Sequence, residues 1–150
     1  KIVKIINEEK PEMVFVDEGG LGAGVIDRLR ELGYGTDQVI GVNGGEKPLN
    51  GDKYFNKRAE MWGEGKEWLD DDAGVDLPDS DSLQADLTGP SYSYDSATRL
   101  RLEKKEDMKK RGIRSPDEGD AWALTFSFPV SVRDVVEQYG NVQEGGWLGS

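Results

Sequence analysis

The spacing of apolar positions changes several times in the first part of the chain, and each spacing predicts a different element. Residues 1–9 carry isoleucine and valine at helical spacing, and Pro11 ends that pattern. Residues 13–16 are a short apolar run typical of a buried parallel strand. An amphipathic helical pattern follows at residues 25–32, and a second strand pattern at residues 39–42. Together they predict a βαβ unit, and therefore an α/β fold whose sheet is at least partly parallel.

The rest of the chain predicts helices and one hairpin. Apolar residues recur at helical spacing in residues 54–69 and in a final helix at residues 116–128. Between them we expect, in order, an acidic loop, a short helix, a hairpin and a charged helix, at residues 70–81, 82–87, 92–102 and 103–111. The pattern weakens towards the end. We therefore expect one domain over residues 1–130 and a weakly structured tail over residues 131–150.

Composition excludes several kinds of enzyme. The 150 residues allow one domain with a real core, and they include no histidine and no cysteine. The Ser-His and Cys-His triads and the usual zinc sites are therefore excluded. The 30 acidic residues remain as candidate catalytic groups, and carboxylates hold hard cations such as Mg²⁺ or Mn²⁺. No stretch approaches the roughly 20 apolar residues of a membrane helix, so we expect no membrane partner.

Charge is unevenly distributed along the chain. The net charge of −11 argues against general nucleic-acid binding. Residues 64–86 hold nine acidic residues against one lysine, whereas residues 99–114 hold eight basic residues against three acidic ones. Both segments can be explained as solvated faces of the protein. The basic segment has a second interpretation, as a surface that attracts phosphate. The candidate DNA-binding side chains of the basic segment are Lys104, Lys105, Lys109, Lys110, Arg111 and Arg114.

The glycine-rich turn at residues 19–24 does not match a nucleotide-binding motif. Its glycines give G-x-G-x-G, because Val25 and Asp27 occupy the positions where G-x-G-x-x-G needs its third glycine. No Lys-Ser or Lys-Thr pair completes a phosphate-binding loop, which also argues against an enzyme of small phosphorylated substrates. Two interpretations remain: a tight strand-to-helix turn, or a place where a nucleic-acid backbone approaches the strand end.

Asp17 is the first candidate catalytic residue. It follows three apolar residues at the carboxyl end of the first predicted strand, where open α/β sheets place their chemistry. Acidic residues are also common at strand ends for structural reasons. Glu18 would point to the opposite side of a continuing strand, so it is the weaker candidate.

The start of the final helix supplies two more carboxylates. Ser115, Pro116 and Glu118 fit a capping box with proline at the first helical position, which explains them without function. Asp117 near the helix N-terminus is also favoured by the helix dipole. Asp120 lies three residues on and on the same face as Asp117. Two acidic groups on one face repel each other unless a cation lies between them.

In combination, four motifs resemble the C-terminal nuclease domain of the large terminase subunit of tailed bacteriophages. The resemblance covers roughly residues 1–128, and its specificity comes from the order and spacing of the motifs. They are Val14-Phe15-Val16-Asp17, Gly22-x-Gly24-Val25-x-Asp27-x-Leu29, Asn56-Lys57-Arg58-Ala59-Glu60-Met61-Trp62 and Ser115-Pro116-Asp117-Glu118-Gly119-Asp120-Ala121.

The resemblance implies an RNase H-like mixed sheet flanked by helices, and cleavage of concatemeric double-stranded phage DNA during genome packaging. It implies two Mg²⁺ or Mn²⁺ ions held by carboxylates, with Asp17 and Asp117 as matched ligands and Asp120 as their neighbour. It also implies a portal and a small terminase subunit as partners of the parent protein, in the cytoplasm of a bacterial host.

The resemblance further implies a first acidic strand and an ATPase motor, and neither is in this sequence. We therefore expect a partial domain, incomplete at its N-terminus, from a phage or prophage terminase. Alone it should bind metal weakly and cut DNA poorly or not at all. The alternative is a non-catalytic docking module that binds a portal or small-subunit partner.

Overall fold

The computed structural model describes residues 1–72 and 74–131, and it begins with the predicted βαβ unit. Helix α1 (Ile2–Glu9) leads into strand β1 (Val14–Asp17), helix α2 (Gly22–Glu31) and strand β2 (Val39–Val42). The two strands pair in parallel, with Val14 opposite Val39 and Asp17 opposite Val42. The predicted α/β class and the order of the first four elements are confirmed.

Close backbone packing explains a glycine in the turn between β1 and α2. A Cβ at position 22 would lie 1.6 Å from the backbone carbonyl oxygen of Asp17, far inside van der Waals contact. The turn is tightened further by a hydrogen bond from the Gly22 N–H to the Gly19 carbonyl. Of the two interpretations of these glycines, the tight strand-to-helix turn is the one that the packing accounts for.

The parallel sheet separates two small cores because side chains alternate along each strand. On one face, Val39 packs with Ile6 of α1 and Leu29 of α2. On the other face, Val42 packs with residues from later in the chain, Met61, Trp62 and Ala123, and Phe15 and Ile40 lie against them. Because Asp17 is two residues after Phe15, its side chain belongs to this second face.

The second half of the chain builds the layer that covers this face. Helix α3 (Lys57–Leu69) begins at Asn56, whose side chain accepts a hydrogen bond from the Ala59 N–H. It is followed by helix α4 (Asp81–Thr88), an antiparallel hairpin of β3 (Tyr92–Tyr94) and β4 (Leu100–Leu102), and helix α5 (Lys105–Lys110). The hairpin is a separate two-stranded sheet, joined to the segment that precedes α3 by a bridge between Tyr54 and Leu100.

The final helix is shorter than predicted and is capped differently. Helix α6 spans Asp117–Ala123 and continues as a 3-10 turn at Leu124–Phe126. The capping-box prediction is wrong, because Pro116 occupies the N-cap position and no local side chain caps the helix. Instead, the buried carboxylate of Asp86 on α4 accepts hydrogen bonds from the N–H groups of Glu118 and Gly119, at 2.9 and 3.3 Å.

The predicted division into residues 1–130 and 131–150 stays a prediction, since nearly all of the tail lies outside the described residues. Within the described part of the chain, no helix has both the length and the apolar character that a membrane crossing requires.

Candidate active site

Two of the predicted carboxylates, Asp17 and Asp120, line one pocket of about 200 Å³. The pocket lies where the carboxyl ends of β1 and β2 meet the starts of α3 and α5 and the middle of α6. Its other lining residues are Val42, Gly44, Gly45, Arg58, Met61, Lys105 and Leu124. The fold therefore brings together side chains that are 103 positions apart in the sequence.

Asp17 is the exposed member of the pair. It is the last residue of β1, and its Oδ1 accepts a hydrogen bond from the Gly19 N–H at 2.8 Å. That bond holds the carboxylate in the turn and leaves Oδ2 without a described hydrogen bond. The neighbouring Glu18 carboxyl lies over Gly41, where an added Cβ would be only 2.2 Å from it. Glu18 is thus directed away from the pocket, as the alternation of the strand predicts.

Asp120 is partly buried and surrounded by donors. Its Oδ1 accepts hydrogen bonds from the Trp62 indole N–H at 2.9 Å and from Arg58 Nε at 3.2 Å. Its Oδ2 is buried and lies 2.7 Å from Lys105 Nζ in an ion pair, with no assigned hydrogen bond among the described residues. One carboxylate oxygen is therefore fixed by two hydrogen bonds, while the other is held only by an ion pair that a bound cation would replace.

Arg58 connects the pocket to the rest of the fold. Its Nη1 donates to the Glu103 carbonyl at 2.9 Å, and its backbone N–H donates to the Gly44 carbonyl at 2.9 Å. Its Nη2 is buried and has no hydrogen-bond partner among the described residues. Arg58 thus provides an unused donor next to a carboxylate that it already holds.

The donor set fits one hard cation better than two. The free oxygen of Asp17 and Oδ2 of Asp120 are hard oxygen donors, and Mg²⁺ is commonly held by one or two carboxylates plus water and phosphate oxygens. Within residues 1–72 and 74–131, no three Asp or Glu side chains converge closely enough to form a larger metal cluster. The buried Oδ2 without a hydrogen bond is the observation that makes the pocket suitable for an ion.

Asp117, the other predicted ligand, lies in the first turn of α6 and is exposed. It is not among the residues that line the pocket of Asp17 and Asp120. Its neighbour Glu118 is engaged with α4, where its carboxylate accepts a hydrogen bond from Ser82 Oγ at 2.7 Å. The role predicted for Asp117 stays a prediction.

The six basic residues predicted to bind DNA divide into two groups. Four are held in ion pairs within the chain, at 2.6–2.9 Å: Lys105 with Asp120, Lys110 with Asp107, Arg111 with Glu103 and Arg114 with Asp86. Lys104 and Lys109 are exposed and have no such pair among the described residues. Lys104 also lines a groove of about 460 Å³ that shares Gly44, Gly45, Arg58 and Lys105 with the carboxylate pocket.

Sequence reasoning did not assign Arg58 or Trp62 to the site. Both appear in a motif of the resemblance, but the motif gives no role to either. One signal was present: residues 58 and 62 are one helical turn apart, so they share a face of the predicted helix. The pairing of that face with Asp120 depends on how α3 and α6 pack.

Comparison with solved structures identifies the fold. The nuclease domain of the large terminase subunit gp2 of bacterial virus Sf6 matches with a TM-score of 0.63 and 21% sequence identity, over 85% of this chain and 70% of that chain. A point mutant of that domain with manganese matches with a TM-score of 0.65 and 22% identity, over 84% and 70%. The same mutant with calcium matches with a TM-score of 0.63 and 21% identity, over 84% of this chain and 69% of that chain.

Neither a model of a known protein family nor the sequence of a characterised protein matches this chain. The structural likeness confirms the fold that the four sequence motifs predicted. The chain has the RNase H-like α/β fold of the nuclease domain of the phage large terminase subunit.

Proposed function

We propose that this chain is a metal-dependent endonuclease domain of a phage DNA-packaging terminase, which hydrolyses phosphodiester bonds of concatemeric double-stranded DNA. The observation that carries the proposal is the convergence of Asp17 and Asp120 in one pocket beside Arg58 and Lys105. The fold shared with phage terminase nuclease domains, among them structures with manganese and calcium, supports it.

The carboxylates would hold the ion. Asp17 would provide its free oxygen, and Asp120 would provide Oδ2, which has no hydrogen-bond partner. A bound Mg²⁺ or Mn²⁺ supplies an activated water and stabilises negative charge on phosphate oxygens. A second ion would need another acidic ligand, and Asp117, one turn before Asp120 on α6, is our candidate for it.

The cationic side chains would act on the phosphate. Arg58 Nη2 is a buried donor without a partner, and Lys105 Nζ is close to Asp120. Fixed cations around a phosphodiester stabilise the charge that develops as the attacking oxygen adds to phosphorus. The ionic side chains of the pocket are two acidic and two basic groups, so their charges cancel.

The groove beyond the pocket suggests where the DNA backbone would run. It leads from Gly44 and Gly45 past Arg58 to Lys104, which is exposed and has no ion pair among the described residues. Lys109, Lys110, Arg111 and Arg114 would extend the positive field along and beyond α5, although three of them are already paired. The acidic segment at residues 64–86 should lie away from the DNA, since it would repel phosphate.

Nicking of supercoiled plasmid DNA with Mn²⁺ tests the proposal. We expect slow nicking by the 150-residue chain that is lost in Asp17→Asn and in Asp120→Asn. Asp27→Asn, which neutralises an exposed acidic residue on α2 outside the pocket, is the matched control and should nick like the wild type. Nicking that survives both pocket substitutions would contradict the proposal.

A second candidate function is a non-catalytic docking module for a portal or small terminase subunit. Within residues 1–72 and 74–131 no three acidic side chains form a metal cluster, and this observation favours it. Calorimetric titration with Mn²⁺ separates the two functions. A nuclease requires binding that Asp17→Asn and Asp120→Asn each abolish, whereas a docking module requires none.

A further inference from the structure

We propose that Trp62 and Arg58 are positioning residues that hold Asp120 Oδ1 in place and thereby present Oδ2 to a divalent cation. The inference rests on the proposed function, because it assigns to these two side chains the orientation of a metal ligand. Neither residue would touch the cation itself. Each would act through the carboxylate that it binds.

The first argument is the arrangement of donors. Two hydrogen bonds, from the Trp62 indole at 2.9 Å and from Arg58 Nε at 3.2 Å, end on the same oxygen of Asp120. A carboxylate oxygen with two donors from one rigid helix cannot rotate away from them without losing both. Oδ2 makes only the ion pair with Lys105, so it is the oxygen that a cation would take by displacing that lysine.

The second argument is the rigidity of the indole. Trp62 is 8% exposed and belongs to the core with Val42, Met61 and Ala123. Its ring also lies directly against α6, where a Cβ added to Gly119 would be 2.9 Å from it. The N–H donor is therefore fixed relative to the helix that carries Asp120. Such outer partners of a ligating carboxylate orient it and tune its affinity for metal.

Nuclear magnetic resonance of the indole N–H groups tests the inference in the wild-type protein. The Trp62 signal is assigned as the one missing in Trp62→Phe, and Mg²⁺ alone is then titrated. We expect Mg²⁺ to move the Trp62 signal more than those of Trp68 and Trp122. We expect Asp17→Asn to abolish that movement, although Asp17 makes no contact with the indole. Asp120→Asn should shift the Trp62 signal without any metal.

A binding measurement separates positioning from mere packing. We expect Trp62→Phe, which removes the N–H and keeps an aromatic ring, to weaken Mg²⁺ binding by about 10-fold. Trp68→Phe is the matched control, since Trp68 lies on the same helix and packs on Trp122 and Phe126. It should leave Mg²⁺ affinity unchanged. Should Trp62→Phe fail to fold, the Trp62 signal is assigned by elimination from Trp68→Phe, Trp122→Phe and Trp147→Phe, and the wild-type titration then decides.

A Trp62 signal that stays fixed while calorimetry shows Mg²⁺ binding would overturn the inference, as would equal Mg²⁺ affinity in the two tryptophan variants. A failure of the proposed function looks different. Mg²⁺ binding that moves the Trp62 signal, combined with DNA nicking that survives Asp17→Asn and Asp120→Asn, would contradict the nuclease and support the positioning role. A protein that binds no Mg²⁺ would overturn both.

Discussion

The buried carboxylate of Asp86 accepts a hydrogen bond from the backbone N–H of Glu118 at 2.9 Å, so α4 supplies the N-terminal cap of α6. Asp86 also pairs with Arg114 at 2.9 Å. We expect Asp86→Ala to lower the free energy of unfolding by about 1–3 kcal/mol, because backbone donors are left unsatisfied at a buried helix start. Urea titration of both proteins measures it.

Arg114→Gln is the control for that change. The Arg114 side chain is 61% exposed, whereas the Asp86 side chain is 2% exposed. Removing the arginine keeps both cap hydrogen bonds, so we expect a smaller loss than in Asp86→Ala. Equal losses in the two variants would show that the ion pair, and not the cap, stabilises the contact between α4 and α6.

Replacing Gly22 or Gly24, which both lie on α2, with alanine should change the stability of the protein in opposite directions. At Gly22 the new Cβ would lie 1.6 Å from the Asp17 carbonyl, so the turn must move and carry Asp17 with it. At Gly24, also on α2, nothing lies within 4 Å of the new Cβ. We expect Gly24→Ala to stabilise the protein by up to about 1 kcal/mol and Gly22→Ala to destabilise it. Thermal unfolding of both variants checks this.

The buried pair of Lys57 and Glu60 should make stability depend on pH. Burial alone would raise the pKa of Glu60, but hydrogen bonds from Lys57 and from the backbone of Asn50 and Leu49 lower it below the usual 4.5. The unfolded chain then binds more protons than the folded one, so this contribution is present above about pH 4.5 and is lost as the pH falls through the lower, folded-state pKa.

Glu60→Gln isolates that contribution. Both partners are 4% exposed, so the substitution leaves a buried lysine without its counter-charge. We expect a loss of about 3–5 kcal/mol at pH 7. The difference in free energy of unfolding between Glu60→Gln and the wild type should become smaller below pH 4.5. Urea titrations of both proteins at pH 7 and pH 3.5 measure this difference. A difference that does not change with pH would contradict the assignment of the pH dependence to Glu60.

Lys104 should contribute to DNA binding through phosphate. It is exposed, has no ion pair among the described residues and lines the groove that continues the carboxylate pocket. We expect Lys104→Gln to weaken binding to any duplex sequence and to reduce the slope of affinity against salt by about one. Lys4→Gln is the control, since α1 packs on the opposite face of the sheet. Equal changes in DNA affinity and salt slope in Lys104→Gln and Lys4→Gln would indicate that the overall charge of the protein matters, rather than a contact of Lys104 with phosphate.

The two aspartates of α6, Asp117 and Asp120, should differ in the cleavage assay. Asp120 lines the pocket with Asp17, whereas Asp117 is exposed in the first turn of the helix and lies outside that lining. We expect Asp120→Asn to reduce Mn²⁺-dependent nicking by at least about 100-fold, because outer partners of a metal ligand alone cost about 10–100-fold. A loss of the same size in Asp117→Asn would place it in the site as the ligand of a second ion.

The elements that local patterns determine were predictable from the sequence. Short apolar runs predicted β1, with Asp17 at its carboxyl end, and β2, and the parallel pairing followed from the βαβ order. The hairpin and the helices α1 to α5 also appear where apolar spacing predicted them, with shifts of a few residues at their ends.

Contacts between distant segments were not predictable in this way. The capping box of Ser115 and Glu118 was a sound local pattern, but Asp86, 30 residues before Pro116 in the sequence, supplies the cap instead. In the same way, no local rule connects Trp62 to Asp120, 58 residues later. Such pairings depend on how helices pack across the sheet.

The cancelling charges of the pocket have a consequence for the order in which its ligands arrive. With Asp17 and Asp120 offset by Arg58 and Lys105, the pocket exerts little net pull on a phosphate. A dication bound between the carboxylates would make the same pocket strongly attractive to DNA. In the proposed nuclease, the metal ion would then bind before the DNA strand and would be required for the strand to bind in the pocket. The concentration of free Mg²⁺ or Mn²⁺ would determine how often DNA is held in position for cutting.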